Sequence, residues 1–291
     1  MRRFCLIALF AAAPALADLP VSADAGGTLR LTQPARRIVS LSPHITENLF
    51  AIGAGNRVVG TVEFSNYPEE AKRIRQIGSY EKIDLEAVAA LRPDLVIAWE
   101  SGNIASQVAR LKAIGLNVVV TEARRIEDVP ADLERLGALT GAGTGARAAA
   151  DRFRERLAAL RARYAQRPKV RVFYEVWNQP LMTVGGGQII SDAIRLCGGE
   201  NVFAALKPMA AAVTTEAVLA ADPEAIVASG MGEERPEWLD EWRRWPALTA
   251  VARDNLFFVP PDHLQRHTPR ILDGIERLCQ HLEVARSRRP R

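Results

Sequence analysis

The chain lacks the residue patterns on which common hydrolytic, redox and nucleotide chemistry is built. It has no His-Glu-x-x-His pair, no Gly-x-Ser-x-Gly elbow and no Cys-x-x-Cys. Three cysteines in 291 residues leave no clustered thiolates for a metallocluster. Beyond the N-terminus, no segment approaches the roughly twenty apolar residues of a membrane helix. Aromatics are scarce at 6%, and charged residues at 25% are ordinary for a soluble globular chain. The net charge of +4 is partly held in the C-terminal ARSRRPR, and no basic stripe interleaves with aromatics. Nucleic-acid binding is therefore disfavoured. GAGTGARAAA at 141–150 loosely matches a dinucleotide fingerprint, but a helix end precedes it where a strand is needed. It is expected to be a turn between helices.

What the chain does have is a repeat. LEAVAALRPDLVIA at 85–98 returns as TEAVLAADPEAIVA at 215–228, matching Glu86 with Glu216, Pro93 with Pro223 and Ala98 with Ala228. Each copy reads as a short helix stopped at a proline, then a buried strand. The separation is too wide for a solenoid, so the repeat predicts two similar lobes.

The N-terminus has an export pattern: Arg2 and Arg3, an apolar stretch over 4–13, and the small-x-small site Ala15-Leu16-Ala17. Residues 1–17 are expected to be a cleaved signal peptide, and the mature protein to be soluble and periplasmic. Cleavage removes Cys5 and leaves Cys197 and Cys279. In an oxidising compartment, an isolated pair more often forms a disulfide than a metal site, two buried thiols being the alternative.

Residues 18–34 suggest a small hairpin. Strands are expected at 37–41, 57–62, 94–99 and 116–121, with helices at 44–52, 104–114 and 129–139 between them. This alternation predicts an α/β fold with parallel sheets flanked by helices. A helix without Gly or Pro spans 147–166, with Phe153, Leu157, Leu160 and Tyr164 at helical spacing. It divides the chain into an N-terminal lobe (18–144), a rigid connecting helix (145–167) and a C-terminal lobe (168–291). In the second lobe, a strand at 169–176 is followed by a loop at 177–187 and a helix at 188–196. The last strand covers 256–259, a surface loop 261–270 and the final helix 271–284. Trp238, Trp242 and Trp245 fall at helical spacing and read as core.

Candidate ligand-facing residues lie at or after strand ends, where open α/β sheets bind. Phe64, Tyr67, Tyr80 and Trp99 do so in the first lobe and Trp177 in the second; flat side chains there suit a large, partly apolar, planar ligand. His44, His263 and His267 also lie after strands, whereas His281 is expected at the surface. Loop histidines are more often solvated than metal-bound, and no metal site is assigned.

The segments RIVSLSPHITENLFAIGAG, VVGTVEFSNYPEEA, DLVIAW with SGN, RLCGGENVF and PDHLQRHTPRIL together make the chain resemble the periplasmic cobalamin-binding proteins of ABC importers. These are solute-binding proteins of class III, with two α/β lobes joined by one long rigid helix. The resemblance implies that cobalamin is a transported ligand rather than a cofactor, and that Phe64, Tyr80 and Trp99 line the cleft. It implies polar contacts from Asp262 and Arg266, with Trp177 nearby and His44 as a further ligand-facing group. It also pairs Cys197 with Cys279. Glu86 and Glu216 are implied to dock onto a two-fold ABC permease dimer, matched acidic positions suiting a symmetric partner. Ala210 and Met182 depart from the family's aromatics. Haem, a ferric siderophore or another corrinoid such as cobinamide therefore stands as the alternative ligand. A metal-ion receptor and an enzyme stand behind these, and a monomer is expected.

Overall fold

The computed structural model describes residues 19–23, 27–230 and 232–290. The expected signal peptide, with Cys5 and the Ala15-Leu16-Ala17 site, lies outside the described residues. At the start, β1 (Leu19–Ala23) and β2 (Gly27–Leu31) form the expected antiparallel hairpin.

The first lobe runs β3 (Ile38–Ser40), α1 (Pro43–Ala51), β4 (Val58–Gly60), α2 (Leu85–Ala90), β5 (Leu95–Trp99), α3 (Ala105–Ala113), β6 (Val118–Thr121) and α4 (Asp128–Thr140). Its sheet is parallel, in the order β4-β3-β5-β6. Strand alternation splits the core into two layers. Ile38, Leu95, Ile97 and Val119 pack with Ile45, Leu49, Leu133 and Leu136 of α1 and α4. Val39, Val96, Ala98 and Val118 pack on the other face with Val88, Val108 and Leu111 of α2 and α3. Both faces are covered, which is why these strands are rich in Val and Ile.

Helix α5 (Gly143–Tyr164) has 22 residues and so reaches about 33 Å. Ala146 and Ala149 belong to the first lobe's core, whereas Phe153, Leu157, Leu160 and Tyr164 belong to the second's. One rigid element is therefore shared by two cores. It starts and ends earlier than expected, because the turn before it is confined to Gly141, at φ +70°, and Ala142. Most of the glycine-rich 141–150 segment is helix. Gly145 lies so close to the Ile52 carbonyl that a Cβ would not fit.

The second lobe runs β7 (Val170–Glu175), β8 (Trp177–Asn178), β9 (Leu181–Val184), α6 (Ile189–Leu196), β10 (Gly199–Asn201), β11 (Ala210–Ala212), α7 (Thr215–Ala221), β12 (Ala225–Ala228), α8 (Thr249–Ala252), β13 (Leu256–Phe258), α9 (Pro261–Leu264) and α10 (Ile271–Ser287). Its parallel sheet has the order β10-β7-β12-β13, the first lobe's order repeated strand for strand. The repeated segments occupy equivalent places, as α2 leading to β5 and α7 leading to β12. Asp84 and Thr214 cap these helices equivalently, accepting from the amides of Ala87 and Ala217.

Three expectations are corrected here. The stretch 177–187 is no loop: β8 and β9 form an antiparallel hairpin that β11 extends. The stretch 261–270 is not at the surface. It contains α9, and Arg266, His267 and Thr268 are buried because they pack against the first lobe. His281 is half-buried, its ring stacked on Phe257 at 4.7 Å and its Nε2 3.1 Å from the Phe258 carbonyl oxygen. The tryptophan stripe lies on and just after a 3-10 helix (Glu237–Arg244), with Trp242 buried against Phe173. Cys197 and Cys279 are joined by a disulfide that fastens the end of α6 to α10.

Glu175, at the end of β7, is buried with the Trp242 indole N–H donating to its carboxylate at 2.8 Å. Burial pushes its pKa from 4.5 up to about 8. The folded chain therefore binds a proton that the unfolded chain releases above pH 4.5. This group's contribution is full below that pH and is lost as pH rises through about 8. Glu175→Gln keeps the acceptor for Trp242 and removes the titration. Its stability should match the parent's at pH 4 and exceed it at pH 9 by on the order of 4 kcal/mol, measured by denaturant unfolding at the two pH values.

Candidate functional site

In each sheet the chain reverses direction of winding between its two central strands, β3 and β5 in one lobe, β7 and β12 in the other. Crevices open at the carboxyl ends of strands at such points. The two crevices face one another. After β3 come Ser42 and His44; β5 ends in Trp99; after β12 comes Gly230; α9 and its C-terminal turn supply Asp262, Gln265 and Arg266. Between them lies a cavity of about 250 Å³, also lined by Phe64, Asn66 and Tyr80. A neighbouring cavity of about 400 Å³ shares Trp99 and Gln265 as walls and adds Val176, Met209, Ala210 and His267.

Six of the candidate ligand-facing residues thus meet around the first cavity: His44, Phe64, Tyr80, Trp99, Asp262 and Arg266. Tyr67 lines neither cavity, its ring lying under the Arg270 guanidinium. Phe64 is 56% exposed at φ +63°, a left-handed conformation that a side chain beyond glycine adopts at a cost. Its carbonyl accepts from Arg266 at 3.0 Å, which helps hold it. Tyr80 and Trp99 have ring centroids 6.1 Å apart. Trp177 is not brought to either cavity. Val176, at the bend between β7 and β8, lines the second cavity in its place. Trp177 instead meets Trp238 edge-on and donates its indole N–H to the Gln179 carbonyl.

Several residues of the site carried no sequence signal of their own. Asn103 accepts from the Trp99 amide at 2.7 Å and donates to the carbonyls of Leu41 and Tyr80, at 2.9 and 2.8 Å. One buried amide thereby ties together three loops of the aromatic wall. Gly102 lets the Trp99 ring lie flat against the backbone, since a Cβ there would overlap it. Across the cleft, Glu47 of α1 is 2% exposed and accepts from Arg270 at 2.7 and 2.6 Å and from the Thr268 hydroxyl at 2.6 Å. Asn48 donates to the His267 carbonyl at 3.0 Å. Arg266 reaches over the rim to Asn66 at 2.8 Å and pairs with Asp262 at 2.8 Å.

Burial dominates the electrostatics. It pushes the His44 imidazole well below its usual range, helped by His267 and Arg266 nearby, and takes His267 down to about 4. Burial raises Asp262 against the pull of Arg266. Both histidines are therefore neutral at pH 7. Among the described residues no group of three or more His, Cys, Asp or Glu could hold a metal ion, and no helix is long and apolar enough to cross a membrane. Glu86 and Glu216 line neither cavity and stand exposed in the first turns of α2 and α7.

Two α/β lobes of one topology, sharing a helix and facing each other across a lined cleft, define a protein that encloses a molecule between its halves. The chain belongs to the periplasmic binding protein family, whose model matches residues 38–263. A vitamin B12-binding protein of Vibrio parahaemolyticus is 35% identical over 260 residues, 88% of this chain and 93% of the relative. The crystal structure of the periplasmic vitamin B12 binding protein BtuF of Vibrio cholerae superposes with a TM-score of 0.81 at 33% identity, covering 87% of this chain and 98% of that one. A periplasmic heme binding protein from Pseudomonas aeruginosa gives 0.73 at 26% identity, covering 84% and 91%. The fold is that of a class III periplasmic binding protein.

Proposed function

We propose that this protein captures cobalamin in the periplasm, without transforming it, and delivers it to a membrane permease of an ABC importer. The observation that carries this is the pairing of unlike walls across one cleft. Phe64, Tyr80 and Trp99 offer flat apolar faces on one side, while Asp262, Gln265 and Arg266 offer donors and acceptors on the other. A corrin ring with peripheral amides has both kinds of surface, apolar in the plane and polar at the rim. Arg266 already donates to two amide-type oxygens, the Asn66 side chain and the Phe64 carbonyl. Ligand amides are the same acceptors in another place. The relatives that share most of this chain's length bear the vitamin's name, which supports the same choice over haem.

Glu86 and Glu216 are the docking points in this scheme. They are equivalent by sequence repeat, by helix position and by capping. A partner with two-fold symmetry would meet the same charge on both lobes.

Calorimetric titration of the mature protein with cyanocobalamin should give one site. Trp99→Ala should weaken it at least about tenfold, a loss of about 1.4 kcal/mol. Absence of cyanocobalamin binding alongside saturable haem binding would overturn the ligand assignment. Reversing both docking charges, Glu86→Lys with Glu216→Lys, should abolish uptake through the reconstituted importer and leave titrated affinity unchanged. A matching loss of affinity would place the glutamates in stability or in the pocket instead.

A further inference from the structure

His44 is the one candidate whose role a hydrophobic wall and a polar rim do not explain. Its Nδ1 lies 2.7 Å from the Ser42 hydroxyl. Its ring centroid is 5.2 Å from those of both Trp99 and His267, so the ring has little room to turn. Nε2 has no hydrogen bond among the described residues, although His44 lines the first cavity and is only 6% exposed. A buried imidazole with one nitrogen anchored and the other free is how proteins prepare a histidine for a metal. Burial keeps it neutral, as ligation requires.

No set of neighbouring side chains could complete a metal site around it among the described residues. A metal held there would bring its own equatorial ligands, as it does inside a macrocycle. We propose that Nε2 of His44 is an axial ligand to the metal of the captured tetrapyrrole, selecting corrinoids that have an exchangeable axial water. The inference rests on the corrinoid assignment above. In the step, the metal–oxygen bond breaks and water leaves with its electron pair, while the Nε2 lone pair forms the metal–nitrogen bond. The oxidation state is unchanged. Ligation takes the tautomer in which Nδ1–H donates to the Ser42 hydroxyl and Nε2 carries the lone pair, and in that tautomer no proton is transferred.

Two corrinoids test this. Aquacobalamin has an exchangeable axial water, whereas the cobalt of cyanocobalamin keeps its cyanide. Titrations followed by visible absorbance should show aquacobalamin bands shifting on binding, and cyanocobalamin bands unchanged. His44→Phe, which keeps the ring's bulk, should abolish the shift and weaken aquacobalamin about tenfold or more. Its aquacobalamin affinity should fall about tenfold further than its cyanocobalamin affinity, and a circular dichroism spectrum matching the parent's shows that the variant is folded. A bound aquacobalamin spectrum identical to the free one, or a shift that survives in His44→Phe, overturns the ligation and spares the corrinoid assignment. Equal loss of both corrinoids in His44→Phe and in His44→Gln makes the residue structural and also overturns it. If the parent protein binds neither corrinoid, the assignment and the ligation fall together.

Discussion

The arrangement of the cleft depends on one buried carboxylate. Glu47 sits on the first helix of the N-terminal lobe, is 2% exposed, and takes its hydrogen bonds from Arg270 and Thr268 of the C-terminal lobe. Charge removed from water on this scale is tolerated only when its partners are in place, and losing a partner typically costs about 3–5 kcal/mol. The lobes are thus joined through α5, whose two ends belong to different cores, and through this ion pair, with Asn48–His267 and Arg266–Asn66 hydrogen bonds beside it. Arg270 also stacks on the Tyr67 ring at 3.7 Å, extending the joint along the first lobe. Walls fixed in this way are set before a ligand arrives, which reduces the entropy lost on binding.

On that frame the molecule combines symmetry with its absence. Both sheets have the same strand order, and both repeated helices present a glutamate from the first turn. At the cleft the equivalence stops. Trp99 ends β5, while the matching place after β12 is Ser229, which accepts from Gln265 at 2.9 Å. In the proposed function, an asymmetric ligand calls for unlike walls, and a two-fold partner for like outer faces. The two demands fall on opposite ends of the same repeated unit.

Much of this was legible from sequence because it is local. Hydrophobic periodicity located the strands and α5, and the repeat located the second lobe. Of the five aromatics after strand ends, Phe64, Tyr80 and Trp99 line the first cavity, whereas Tyr67 and Trp177 pack elsewhere. What escaped was set by distant partners. Glu47 lies in a helix whose neighbours are mostly apolar, and nothing nearby announces that Arg270 will meet it. Segment 261–270 looks like a polar surface loop until the opposite lobe covers it. Trp177 lies outside both cavities because the chain bends at Val176, which lines the second cavity, and the indole beyond it packs on Trp238. Asn103 follows a tryptophan by four residues, but its value lies in three carbonyl and amide groups from separate loops.

The central claim is that the buried ion pair, together with α5, fixes the two lobes relative to each other. Spin labels at exposed sites, Ile114 on the first lobe and Glu200 on the second, allow the inter-lobe distance to be measured by pulsed electron resonance. The account predicts one narrow distribution, unchanged when cyanocobalamin is added, that broadens in a Glu47→Ala variant. A wide distribution in the parent protein, or an equally narrow one in Glu47→Ala, would contradict it.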